Sequence, residues 1–422
     1  MTLSDGDDLS GRDRFAEPNT KLEHAVETYL PQPREKRSGV ALCLSGGGFR
    51  AALFHLGALR RLNELGALSK VDTISAVSGG SIVAAHLAER IRVWPAAGDS
   101  VPDWDRDVAA PFRQFTSRNL RTAPLFKAFL PWNWFGGSVA AGELARRYQL
   151  ALIGRRLPEL PGRPRFVFCA TDMAFGVNWV FERGRVGDYQ AGYCSPAPDW
   201  PVAHAIAASS CFPPIFNPMP AGLGPDQLKD GASAGLANRN ELITGLRLTD
   251  GGVYDNMGLE PVWKTHAVVL VSDGGGVFDF MPDRGLFARV MRYTAIQGRQ
   301  ATAIRKRWLI SSFISGEISG TYWGIGSAIG SYGEPAAGYS RALVERVIAE
   351  VRTDLDAFSE AEAAVLENHG YLLADAAIRR HAPGLTRPGA PSSSAPHREW
   401  LDEEKVSRFL ADSHRRTFFG RT

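Results

Sequence analysis

"DTISAVSGGSIVAAHL" (residues 72–87) decides the fold. The run "VDTISAV" (71–77) reads as a buried strand, and "GSIVAAHLAERI" (80–91) reads as a helix that begins at once. Ser78 stands at the junction, with Ala76 two residues before it and Gly79 and Gly80 after it. One reading is a tight strand-to-helix turn and nothing more. The other is a nucleophile elbow, where a serine hydroxyl is exposed on a sharp corner that tolerates only small neighbours, as in G-x-S-x-G. The helix that follows sets its positive dipole end beside the hydroxyl.

The same alternation appears on either side. "GVALCLSGGGF" (39–49) predicts a buried strand running into glycines, and "RAALFHLGALRRLNELGAL" (50–68) predicts a helix with Leu53, Leu56, Leu59, Leu62 and Leu65 on one face and a stop at Gly66. Further strands are expected at 165–171, 178–183, 246–250 and 266–273. Strand, helix, strand, helix with short connections implies an α/β fold, its parallel strands covered by helices. "TDLDAFSEAEAAVLENHGYLLADAAIRR" (353–380) predicts a helical pair, begun by a Ser359–Glu362 capping box and broken at Gly370.

Composition sets limits. A chain of 422 residues, 44% hydrophobic and 22% charged, can bury a large core, and a net charge of +3 argues only weakly for anionic partners. Of the four cysteines, Cys43 and Cys169 sit in apolar runs and are expected as buried thiols; no CxxC pair suggests a metal. The N-terminal stretch is polar and acidic, unlike a signal peptide, and no run of about 18 apolar residues predicts a membrane span. The expectation is a cytoplasmic protein.

Two further motifs carry chemistry. In "LSGGGFRAALFHLG", Gly46, Gly47 and Gly48 join a strand to a helix, so their N–H groups can face an anion, with Arg50 nearby. That anion is either a phosphate or the oxyanion of an acyl-transfer intermediate. In "LTDGGVYDNMGLEP", Asp250 ends an apolar strand before two glycines. The C-terminal ends of parallel strands share one edge, so Ser78, the glycine loop and Asp250 are expected to converge there from three strands. "VSDGGG" (271–276) offers Asp273 as a second candidate.

"SGGGFRA", "SAVSGGS" and "DGGVYDN", in that order, together with "AIAASSCFPPIF" (205–216), resemble the patatin-like phospholipase family across roughly residues 38–380. The resemblance implies a three-layer α/β sandwich with a mostly parallel sheet, and a Ser–Asp dyad that hydrolyses lipid acyl esters without metal or cofactor. It implies Ser78 as nucleophile, Asp250 as general base, and Gly46, Gly47, Gly48 and Arg50 as the oxyanion loop. Ser45, Ala51 and Ala76 stand where the family more often has Asp, Gly and Gly. A weakly catalytic scaffold of the same fold is the alternative reading. No lysine follows the glycines in the register of a nucleotide-binding P-loop.

The expected organisation is an N-terminal arm and helix (1–37), a catalytic domain (38–381) with a cap-like insertion near 100–150, a flexible linker (382–397) and a C-terminal amphipathic helix (398–422). Partners are expected to be a phospholipid membrane surface, contacted peripherally, and no nucleic acid; the sequence does not show whether oligomerisation or a small molecule switches activity on. "IRKRWLI" (304–310) and "PWNWF" (131–135) are candidate bilayer contacts. No histidine after Asp250 is expected at the site: His266 opens a strand at the wrong edge, His369 and His381 belong to the helical pair, and His397 and His414 lie past the linker.

Overall fold

The computed structural model describes residues 36–122, 124, 139–213, 216–276, 285–333 and 338–413. The predicted helix at 20–30, "PWNWF" and His414 lie outside these. Residues 1–38 and 39–422 form separate units, and the sheet with its helical layers belongs to the second.

The centre of that unit is one mixed sheet in the order β10-β9-β1-β2-β3-β4-β5-β6. The strands are β1 (Val40–Leu44), β2 (Thr73–Val77), β3 (Arg165–Asp172), β4 (Val177–Phe181), β5 (Val186–Asp188), β6 (Gly192–Cys194), β7 (Met219–Pro220), β8 (Arg247–Asp250), β9 (Val268–Asp273) and β10 (Ser319–Gly324). The first five in that order, β10 to β3, pair in parallel. Being covered on both faces, these strands carry the near-continuous apolar runs that mark the sequence. Beyond β3 the sheet departs from the parallel expectation: β4, β5 and β6 form an antiparallel meander, and β8 pairs antiparallel with β3 and β7.

Period-two alternation divides the core into two. Leu42 and Leu44 face one cluster with Ile74 and with helices α1 (Gly48–Glu64), α2 (Gly79–Arg90), α3 (Val139–Ala151), α4 (Val202–Ser210) and α6 (Glu360–His381). Ala41 and Cys43 face the other, with Met257, Val262, Val271 and Leu309 of α5 (Leu286–Ser315). Helix, sheet and helix thus form the three layers. Trp104, Phe112 and Phe115 of the expected insertion are buried in the first cluster.

Helix α6 corrects one expectation. Its capping box forms as predicted, with the Glu362 N–H donating to Ser359 Oγ at 3.3 Å and the Ser359 N–H to the Glu362 carboxylate at 2.8 Å. Gly370 does not break it, however; one helix runs from Glu360 to His381. The glycine serves a close crossing with α1. A Cβ on Gly370 would lie 1.9 Å from the Phe54 carbonyl oxygen, and one on Gly57 would lie 1.8 Å from that of Glu367. His369, read as part of the helical pair, is buried at this crossing, against Phe54 and bonded to the Ile325 carbonyl at 2.8 Å.

The stretch 382–397 lies along the domain, with the Arg387 N–H donating to the Leu65 carbonyl and Arg61 to that of Pro391. Helix α7 (Glu403–Leu410) buries Val406 and Leu410, and Ser413 donates to Glu362 at 2.6 Å.

The crossing predicts a stability effect. Gly57→Ala and Gly370→Ala should each cost about 1–3 kcal/mol, because backbone must move to admit a methyl group. The double variant should cost less than the sum, since the first substitution already separates the helices. Urea unfolding of the three variants checks both points.

Candidate active site

The elbow forms as the small residues suggest. β2 ends at Val77, and Ser78 takes φ +49°, ψ −114° at the N-cap of α2. A non-glycine residue at positive φ is strained and marks a constrained position. Two backbones enforce it: a Cβ on Gly79 would lie 2.2 Å from the Gly48 carbonyl, and one on Gly80 would lie 2.2 Å from that of Leu44.

Asp250 reaches Ser78 by a route the sequence does not suggest. β2 pairs with β3 as far as Val77 opposite Cys169. The next rung of β3, Ala170, pairs with Asp250 instead, because β8 approaches along the same edge from the opposite direction. β2 and β8 therefore meet end to end, and the predicted convergence of three parallel strands is corrected to two parallel strands, β1 and β2, met head-on by an antiparallel one.

The segment "AIAASSC" splints this junction. Ser209, the penultimate residue of α4, accepts the Ser78 N–H on Oγ at 2.9 Å and donates from Oγ to the Cys169 carbonyl at 2.6 Å. Its own carbonyl accepts the Gly251 N–H, and that of Cys211 accepts the Asp250 N–H, both at 3.3 Å. Ser209 thus ties elbow and aspartate turn together. The sequence alone does not single it out; the one signal is its place among small residues on a helix ending just before strands β7 and β8.

The Asp250 carboxyl is buried, and one oxygen accepts the Gly252 N–H at 2.7 Å. Burial pushes its pKa up to about 7, while that N–H and the Ser78 hydroxyl favour the ionised form.

Gly46–Gly48 lie against the elbow: a Cβ on Gly46 would come within 3.1 Å of Ser78 Cβ. The three amides are not equivalent. The Gly46 N–H donates to the Asn256 carbonyl at 3.0 Å. Gly47 (φ +137°) and Gly48 (φ +57°) begin α1, and among the described residues their amides meet no acceptor. Arg50 corrects another expectation. Four of its N–H donors are taken by carbonyls, with Nε and Nη2 on Gly274 at 3.3 and 3.2 Å and Nη1 on Val351 and Ala349 at 2.9 and 3.4 Å. It braces the loop instead of supplying an oxyanion donor. Ser45 Oγ accepts the Gly274 N–H at 2.9 Å, tying the same turn to β1.

Asp273 closes a similar turn, accepting the Gly275 N–H at 2.9 Å, but its other oxygen accepts the Tyr322 hydroxyl at 2.8 Å and it ends β9, two strands from β2. Among the described residues no histidine is placed to relay a proton between Ser78 and Asp250. Both ring nitrogens of His55 are occupied, by Ser272 at 2.7 Å and the Ser45 carbonyl at 3.0 Å, and burial depresses its pKa to about 4. His266 bonds Thr73, at the start of β2, at 3.0 Å, which is the opposite edge of the sheet as expected. His381 packs by Tyr332, and His397 bonds Glu367 at 2.9 Å.

Comparison with known protein families matches residues 42–263, just over half of the chain, to the patatin-like phospholipases. The chain belongs to the patatin-like phospholipase family. That membership supports lipid hydrolase function, and the matched region holds Ser78, Asp250 and the glycine loop. No curated protein matches the sequence. Among solved structures, human GIVD cytosolic phospholipase A2 is similar at a TM-score of 0.37 and 15% identity, over 60% of this chain and 48% of that one. The same human protein in complex with methyl gamma-linolenyl fluorophosphonate gives 0.43 and 12%, over 86% and 60%. VipD from Legionella pneumophila gives 0.32 and 13%, over 82% and 67%. The chain spans about half the length of the first of these.

Burial of Asp250 has a measurable cost. Its pKa of about 7 in the fold lies above the value of about 3.9 in an unfolded chain. Between those values the native state holds a proton the unfolded chain has lost, so this group's contribution to stability falls as pH rises from about 4 to 7. Asp250→Asn should therefore raise the melting temperature at pH 8, with the gain shrinking toward pH 4. A calorimetric pH series of the two proteins checks the sign.

Proposed function

We propose that this protein is a serine-dependent lipid acyl hydrolase of the phospholipase A type, with Ser78 as nucleophile and Asp250 as general base. The observation that carries the reading is the end-to-end meeting of β2 and β8, which sets a strained serine beside a buried carboxyl with no described histidine between them. Ser78 Oγ attacks the ester carbonyl carbon as its proton passes to the Asp250 carboxylate. The carbonyl oxygen becomes an oxyanion against the Gly47 and Gly48 amides, aided by the N-terminal end of α1. Collapse expels the alcohol, which takes the proton from Asp250 and leaves an acyl-Ser78. Water then gives a proton to Asp250, attacks the acyl carbon, and releases the fatty acid as the proton returns to Ser78.

A carboxylate is ordinarily a weak base for this work. One whose pKa lies near 7 matches an operating pH close to neutrality, where proton transfer in both directions is efficient. The Ser78 hydroxyl stands among the groups that favour the ionised form of Asp250, the form that can take the proton. No step draws on a metal or a cofactor. The substrate expected on this reading is membrane phospholipid, and the protein would meet it from the membrane's surface: among the described residues no helix is long and apolar enough to cross a bilayer.

Ser78→Ala and Asp250→Asn should each abolish fatty-acid release from phospholipid vesicles with the circular dichroism spectrum unchanged, and an alkyl fluorophosphonate should label the parent protein at Ser78. A protein that is unlabelled and inactive would be the scaffold of the alternative reading. kcat/KM should fall tenfold per pH unit below about 7, as Asp250 takes up a proton. His266→Gln, His369→Gln and His381→Gln should each stay within about tenfold of parent, or roughly 1.4 kcal/mol. A thousandfold loss in one of them, with the fold preserved, would point to a triad.

A further inference from the structure

Helix α5 carries Arg289, Arg292, Arg299, Arg305, Lys306 and Arg307 and no acidic residue in its 30 positions. Surface helices ordinarily interleave both signs. Its two sides differ. The inner side holds the catalytic edge: Arg305 donates to the Tyr254 carbonyl just after the Asp250 turn, and its guanidinium lies 4.8 Å from the Tyr254 ring centroid. Arg299 donates to the carbonyl of Gly276, and Lys306 donates to the Tyr322 hydroxyl at 2.7 Å, which in turn donates to Asp273. Leu309 is buried between these contacts and the helix end.

The outer side is apolar and open. Tyr293, Ile296, Ile304, Ile310 and Ile314 are exposed at 62, 40, 59, 36 and 83%. At about 100° per residue these five fall on roughly one third of the helix circumference, and Arg289, Arg292 and Arg307 fall on the same third. Exposed isoleucines can bury apolar area at a membrane interface while arginines beside them meet anionic headgroups. The charge argues for an anionic occupant. A second copy of this chain meeting the same face would set Arg289, Arg292 and Arg307 against the same three residues, and neither helix carries a carboxylate. A nucleic acid would satisfy the charge and leave Ile304 and Ile314 without an apolar partner.

We propose that the outer face of α5 docks on an anionic phospholipid bilayer and so holds the chain at that surface. This rests on the lipid-hydrolase reading, which makes that surface the source of substrate. The test uses the full chain carrying Ser78→Ala, so that binding is read without turnover. Co-sedimentation with phosphatidylcholine vesicles holding about one third phosphatidylglycerol should exceed that with phosphatidylcholine alone. Arg307→Ala should weaken binding about fivefold, and Ile304→Asp with Ile314→Asp at least tenfold. Val93→Asp, at a residue 84% exposed outside α5, should leave binding unchanged, and melting temperatures confirm that each variant is folded. Binding indifferent to phosphatidylglycerol, or a double isoleucine variant that binds like its parent, would overturn the proposal. So would light scattering that shows those variants converting a dimer to a monomer while vesicle binding stays the same. Because inactive protein is measured, an error in the roles of Ser78 and Asp250 would not alter the result. Hydrolysis of a soluble short-chain ester by the parent chain tests those roles separately.

Discussion

One edge of β3 is shared by two strands that arrive from opposite directions, and the rest of the site depends on it. β2 occupies the rungs up to Cys169, and β8 occupies the rungs from Ala170 onward. Neither strand can continue, because the other stands in its path. β2 must therefore leave the sheet at Ser78 and β8 at Asp250, so the two side chains at the exits are neighbours by construction. The sharpness of the exit accounts for the positive φ at Ser78, a strain of the order of 1–3 kcal/mol that persists only where surrounding structure overdetermines it. Here the fixing partners are Ser209, which receives the Ser78 amide, and the ends of β1 and α1 closed over Gly79 and Gly80.

The same crowding gives the site its electrostatics. Where backbone fills the space around a carboxyl, water cannot solvate its charge, and the proton is held more tightly. Among the described residues Asp250 keeps one backbone N–H as a partner and gains no cation. Arg50, the basic residue of the glycine loop, is engaged by the carbonyls of Gly274, Ala349 and Val351. An arginine paired with Asp250 would have lowered its pKa and weakened it as a base. Among the described residues the amides of Gly47 and Gly48 meet no acceptor, whereas that of Gly46 is satisfied by Asn256, so the loop offers two donors out of three.

Much of this is legible in the residues, for reasons that mark the limit of such reading. Strand-to-helix alternation shows in the apolar periods of 39–91, because β1, β2, α1 and α2 are buried on the faces those periods mark. The elbow shows because small residues around a serine at a βα junction mark a corner too tight for larger side chains. What escapes is long-range. The direction of β8 is not encoded in "LRLTD", which would look the same in a parallel strand. Gly370 reads as a helix stop because glycine costs helix stability; the compensating fact, a crossing too close for a methyl group, belongs to α1, at the other end of the domain's sequence. Arg50 reads as a loop donor from its position in a motif, while its partners lie on segments that no local spacing brings together.

The two Asp-Gly-Gly turns show the same limit at one place in the sheet. Both end an apolar strand, and both close with the carboxylate accepting the amide two residues on, at 2.7 Å for Asp250 and 2.9 Å for Asp273. As local structures they are twins. Asp273 ends a strand whose neighbours run parallel to it, so an adjacent side chain, Tyr322 of β10, reaches its free oxygen and engages it. Asp250 ends a strand that runs against β3, and what faces it is the exit of β2. Sheet topology, acting after the motif is formed, makes one carboxyl a structural anchor beneath α5 and leaves the other facing a serine. Helix α5 lies over both turns: Arg305 donates to the Tyr254 carbonyl just after the Asp250 turn, and Lys306 to the Tyr322 hydroxyl that donates to Asp273.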